Sequence, residues 1–178
     1  LKQSGDLMGS LSSFRFEMTH EVGTTQFMPG INAEDTLGDI SIPDKLYAEF
    51  SGVFGEFPFN AKLIVIDNSQ YMTNPITGNW EQMDPTVSPV SFFKPQEGIT
   101  AILRDVTSAE FLKSETGIYR LSGRMPATSM ESLMGTVVED GIVDVEIEID
   151  AETMHLKMVR FMGQIMPSDQ PDTVRIIT

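Results

Sequence analysis

Two histidines, His20 and His155, and no cysteine serve a chain of 178 residues. Thiolate catalysis, disulfides and cysteine metal sites are therefore excluded. No G-x-S-x-G elbow, Walker loop or G-x-G-x-x-G turn occurs. No metal-type spacing links the histidines, and each lies in a segment of alternating polarity, so each reads as a surface or boundary residue. A serine–histidine–aspartate arrangement assembled in space is the remaining hydrolytic reading, and it predicts turnover that is lost when His20 or His155 is replaced.

Asp144, Glu146, Glu148 and Asp150 alternate with Val143, Val145, Ile147 and Ile149. Period-two spacing puts the four carboxylates on one sheet face. A hard cation such as Ca²⁺ wants converging oxygens, usually on a glycine-bent loop. A straight strand spreads them about 7 Å apart, so the stripe reads as a solvated outer face. The same acids could form a glycosidase pair, but with 26 acidic residues in the chain the pattern has no specificity. No catalytic residue, metal site or cofactor is assigned.

The elements that would carry these groups are mostly strands. Phe14, Phe16 and Met18 alternate with Arg15, Glu17 and Thr19; Leu46, Ala48 and Phe50 alternate with Tyr47, Glu49 and Ser51. Gly52 and Gly55 suggest a bend or bulge. Further strands are predicted over 59–67, 70–73, from Trp80, over 109–115 and 118–125 (turning at Thr116-Gly117), over 154–164 and over 174–177. Leu1–Ser12 reads as the frayed end of a helix. Phe27–Asp39 reads as a loop with a short strand near 37–42. Pro85, Pro89 and Pro95 break up the middle of the chain. The clearest helix follows Pro95, with Ile99, Ile102, Leu103 and Val106 at i, i+3, i+4 and i+7. Thr128-Ser129-Met130-Glu131 reads as a capping box opening a second short helix. Short turns between strands favour antiparallel pairing, so the expected class is α+β: one domain over residues 1–178, a large antiparallel sheet partly covered by helices.

A net charge of -14 repels phosphate backbones and anionic headgroups. Nucleic acid is not an expected partner, nor is electrostatic docking on an anionic membrane. No run approaches the roughly 18 apolar residues of a membrane span. Twelve Met and eleven Phe against three Tyr and one Trp supply flexible apolar surface. The helix faces therefore have two readings: a filled core, which pattern alone favours, or a lid over an apolar cavity.

Several segments resemble a known family. Gly78-Asn79-Trp80-Glu81, Asp84-Pro85 and Lys94-Pro95-Gln96-Glu97-Gly98-Ile99-Thr100-Ala101-Ile102-Leu103 are similar to the Trp strand, proline-marked loop and helix of the mycobacterial LppX/LprA/LprF/LprG lipoproteins. Tyr119–Ala127 is similar to their "R-I-x-G-x-V-P-A" strand, and Ile147–Asp150 with His155–Arg160 to their penultimate hairpin. The resemblance runs in order and spacing over residues 13–178 and is poor over 20–45. The lipid-modified cysteine that anchors such proteins is absent from this chain; an anchor is expected on a segment trimmed from before Leu1.

The resemblance implies a strongly curved antiparallel half-barrel, LolA/LolB-like, with short helices on its concave face and an apolar cavity for acyl chains. It turns the reading of the helix faces from filled core to cavity. The residues assigned to lipid are Phe16, Met18, Phe50, Leu63, Val65 and Met72 on strands, Phe92, Ile99, Ile102 and Leu103 on and before the first helix, and Met130, Leu133 and Met134 on the second. On this reading Leu103→Trp lowers lipid loading and leaves the fold intact. The implied function is an extracytoplasmic, membrane-anchored lipoprotein that binds or carries acylated lipid or glycolipid in the cell envelope, with a possible envelope protein partner and no enzymatic activity. The alternative is an envelope protein-interaction or assembly module with a closed core.

Overall fold

A computed structural model describes residues 1–28, 30–84, 91–115, 117–170 and 174–178. The predicted breaks at Pro85 and Pro89, and Thr116 of the predicted turn, lie outside these residues. The chain divides into two compact units: Leu11–Ser91, and Leu1–Ser10 with Phe92–Thr178.

In the unit of residues 11–91 the strands are β1 (Ser13–Val22), β2 (Thr25–Met28), β3 (Ile31–Ser41), β4 (Lys45–Phe54), β5 (Phe57–Ile66), β6 (Ser69–Thr73) and β7 (Trp80–Met83). They run in the order β7-β6-β5-β4-β3-β1, with β2 also on β3. Every pairing within the unit is antiparallel. Register sets the apolar residues in cross-strand rows. Phe16, Gly38, Ala48, Leu63 and Met72 form one row, and Met18, Thr36, Phe50 and Ala61 the next. Large residues lie beside small ones: a Cβ on Gly38 would stand 2.5 Å from the Phe16 ring. The opposite face carries exposed pairs, Arg15–Asp39 at 2.8 Å and Lys62–Glu49 at 3.3 Å.

β3 corrects the reading of residues 27–39 as a loop. It is eleven residues long, and its register slips between Ala33 and Asp35. Ile31 and Ala33 are buried before the slip, Thr36, Gly38 and Ile40 after it. The bulge thus breaks the period-two count, and three of those inward residues are too small to mark a strand. The bend anticipated at Gly52 lies on the facing strand. A Cβ on Gly52 would stand 2.1 Å from the Asn32 carbonyl oxygen and 2.8 Å from Ala33 Cα. Gly55, at φ 62°, makes the β4–β5 turn. Gly52→Ala is expected to destabilise the protein by about 1–3 kcal/mol, because backbone must move to admit the methyl group; a denaturant midpoint equal to the parent's would contradict this.

The other unit holds helices α1 (Lys2–Ser10), α2 (Pro95–Asp105) and α3 (Glu131–Met134), a 3-10 turn at Ala127–Met130, and strands β8 (Thr107–Glu115), β9 (Ile118–Pro126), β10 (Ile142–Asp150), β11 (Leu156–Gly163) and β12 (Arg175–Ile177). The strand order is β12-β11-β10-β9-β8, all antiparallel. β10 is the cleanest: Val143, Val145, Ile147 and Ile149 are at most 1% exposed. Its acidic stripe meets cross-strand cations, Arg124–Asp144 at 3.0 Å and Arg120–Glu148 at 2.9 Å. Edge strand β8 is irregular, with register shifts at Thr107/Glu110 and Phe111/Lys113 and a positive φ at Ser108.

The capping box does not form. Thr128 lies inside the 3-10 turn, Pro126 precedes that turn, and no side chain caps either helical segment. α2 starts with Pro at its first position, Glu97 in its first turn and Arg104 in its last, all favoured by the helix dipole and the missing proline N–H.

Candidate functional site

α2 organises the helical cluster. Its buried face is Gly98, Ile102 and Leu103. Gly5 of α1 approaches to within 3.5 Å (as a Cβ) of Leu103 Cβ, and a Cβ on Gly98 would stand 2.6 Å from Leu133 of α3. Lys94 N–H donates to the Ser132 carbonyl at 2.7 Å, and Ser129 Oγ donates to Asp105 at 2.8 Å. Arg104, and then the Ser129 hydroxyl against the opposing effect of burial, holds the Asp105 carboxyl below the usual range. Just beyond α2, Val106 covers Gly123 of β9. The principal neighbours of α2 are thus other helices, where the sequence suggested the sheet. Among the residues assigned to lipid, Ile102, Leu103, Met130 and Met134 are buried, while Phe92, Ile99 and Leu133 keep part of their surface accessible.

In the unit of residues 11–91, Met18, Phe50 and Leu63 are buried, and Phe16, Val65 and Met72 are half-buried on the same face. Near one end of this sheet a mainly apolar hollow of 610 Å³ is lined by Arg15, Asp39, Lys45, Tyr47, Ile64 and Ile66, largely on the face opposite Phe16, with Phe14, Ile40, Leu46 and Val65 interleaved along the same strands. Of the assigned residues only Val65 lines it. Phe14, Ile40, Leu46, Ile64 and Ile66 were not among the assigned residues, although Phe14 extends the alternation of Phe16 and Met18. A second hollow of 320 Å³ borders Glu17, Asp35, Glu49, Lys62 and Thr73, with Phe50 the assigned residue in its lining.

His20 is tied into the sheet. Nδ1 stands 2.7 Å from the Glu34 carbonyl and Nε2 2.8 Å from Thr25 Oγ. A carbonyl only accepts, so in the neutral ring Nδ1 donates and Nε2 accepts from the hydroxyl. Both nitrogens join neighbouring strands. Among the described residues no group of three or more His, Asp or Glu side chains is placed to hold a metal ion, and no helix is long and apolar enough to cross a membrane.

Residues 1–175 match the family model of the LppX_LprAFG lipoproteins. The chain belongs to the LppX_LprAFG lipoprotein family. Compared by sequence with curated proteins, it has no match. The fold is that of two solved relatives of the family. LprF from Mycobacterium bovis superposes with a TM-score of 0.67 at 15% identity, covering 99% of this chain and 88% of that one. The Mycobacterium tuberculosis lipoprotein LppX does so with a TM-score of 0.62 at 16% identity, with the same coverages. The LppX_LprAFG match confirms the family read from the Trp80, Pro95–Leu103 and Tyr119–Ala127 segments. It also spans residues 20–45, where the resemblance was poor. The α+β class, antiparallel strands with a few short helices, stands as expected.

Proposed function

We propose that this chain is an envelope lipoprotein that binds and carries acyl-chain lipids, and that it acts by binding rather than catalysis. Membership of the LppX_LprAFG family across residues 1–175 carries the reading. The accessible apolar side chains support it. Phe16, Val65 and Met72 in one unit, and Phe92, Ile99 and Leu133 in the other, are the accessible candidates for lipid contact; the buried members of the assigned set are packing within their own units. An N-terminal lipid anchor and a position outside the cytoplasm belong to the same proposal.

The physics is undemanding. Each buried methylene contributes about 0.8 kcal/mol. Roughly ten therefore match the 8.2 kcal/mol of a micromolar complex, before the cost of association is met. No polar contact is needed along the chain, so modest selectivity for chain length follows.

Mass spectrometry of the organic extract of purified protein, beside a matched non-binding control, tests the reading. Stoichiometric lipid is expected. A clean extract, repeated after incubation with mixed envelope lipids, overturns the carrier reading in favour of a protein-interaction module. Leu103 lies against α1, so Trp there strains the helix pair; Ile99→Trp is the better filling variant. It is expected to cut loading by half or more at unchanged helicity, and full loading in a folded Ile99→Trp protein would remove Ile99 from the lipid contacts.

A further inference from the structure

The unit of residues 11–91 has two chemically different ends. At one end the β4–β5 turn places Phe54 opposite Phe57. Gly55 N–H donates to the Gly30 carbonyl at 2.9 Å, tying this turn to the one entering β3. Lys62 N–H bonds to Thr73 Oγ1 at 2.8 Å, so the loop after β6 leaves the sheet toward this end too. Asn74 Oδ1 accepts from the N–H groups of Ile76 and Thr77 and fixes that loop. The exposures are Phe54 41%, Phe57 75% and Ile76 79%. Across segments 22–33, 53–60 and 74–79 the only charged residue is Glu56. The opposite end, where the β3–β4 and β5–β6 turns meet, carries Asp44, Lys45 and Asp67 beside Ile66, so its apolar surface is interleaved with charge.

We infer that the Phe54–Phe57 end is a docking surface for a lipid bilayer with zwitterionic headgroups. Three large apolar side chains exposed toward one sheet end mark an interaction site rather than chance exposure. They stand on turns, a projecting shape suited to entering a soft interface. The charge pattern chooses the bilayer. With no Lys or Arg in these segments and -14 on the whole chain, an anionic surface is repelled. A zwitterionic one presents an outward ammonium that Glu56, between the two rings, can meet. This surface goes beyond the carrier reading and does not rest on it.

Flotation with phosphatidylcholine vesicles tests the inference. The parent chain is expected to float with the vesicles. Phe57→Ser is expected to lower partitioning about tenfold, and Phe54→Ser with Phe57→Ser and Ile76→Ser to abolish it. Phe111→Ser, an exposed ring on β8 of the other unit, is the control and leaves partitioning unchanged. Replacing half of the phosphatidylcholine with phosphatidylglycerol weakens binding. A parent chain that stays at the bottom of the gradient overturns the inference, as does a triple variant that floats equally well. So does sedimentation showing that the same substitutions dissolve a dimer without vesicles. The two proposals fail separately: a lipid-loaded chain that does not float sinks only the docking surface, and a floating chain with a clean extract sinks only the carrier.

Discussion

Asp169→Ala is expected to lower the free energy of unfolding by about 3–5 kcal/mol, the cost of removing one partner of a buried ion pair. Arg175 and Asp169 are each 7% exposed at the side chain. Arg175 Nε donates to Oδ2 at 2.9 Å and Nη2 to Oδ1 at 2.5 Å. The same carboxylate accepts the N–H groups of Ile165 at 3.0 Å and Met166 at 2.9 Å. It therefore fastens the segment after β11 to β12, a strand of three residues that could not hold itself. Burial pushes the Asp169 carboxyl up, but Arg175 and the two backbone donors outweigh it and hold it below the ordinary range. A depressed carboxylate stabilises the fold fully above its unfolded value, about 3.9. That contribution is lost as pH falls through the lower folded value. Urea melts should therefore show the gap between parent and Asp169→Ala wide at pH 7 and narrowed near pH 3. A loss below about 1 kcal/mol at pH 7 would mean the pair contributes no more than an exposed one.

Ile102→Ala should cost about 2–5 kcal/mol, and where in that range it falls is informative. Ile102 is 2% exposed on α2, three residues from half-buried Ile99. A side chain at the border of a hollow has fewer packed neighbours to lose than one inside a filled core. A cost near 2 kcal/mol fits the cavity reading, and a cost near 5 kcal/mol fits a closed core. Thermal or urea unfolding of lipid-free protein measures it. A cost below about 1 kcal/mol would contradict the burial itself.

The strands that could be read from the sequence are those in which charge and apolar bulk alternate without interruption. β10 is the clearest, and β1 follows the same rule. β3 was not legible, because its bulge shifts the inward frame by one and Ala33, Thr36 and Gly38 offer little bulk. The short helix was visible in Met130, Leu133 and Met134, but its start was not. Thr128 and Glu131 have capping-box spacing, while Pro126 sends the chain into a 3-10 turn first. Periodicity finds an apolar face, yet only the partner across it decides whether a residue packs or stays accessible. Leu103 meets Gly5, in a segment that the sequence offered merely as a frayed helix end. Asp169 was invisible for a similar reason: a carboxylate in a proline-flanked loop looks like solvent-exposed polarity until Arg175 is brought to it.

β8 ends its sheet with Phe111 and Leu112 exposed at 58% and 55%. A straight strand with that surface would be a template for other copies. Its two register shifts and the positive φ at Ser108 put its hydrogen-bonding groups out of step within a few residues. An incoming strand finds no continuous ladder to extend. Self-association through this edge is thereby disfavoured, greasy margin notwithstanding.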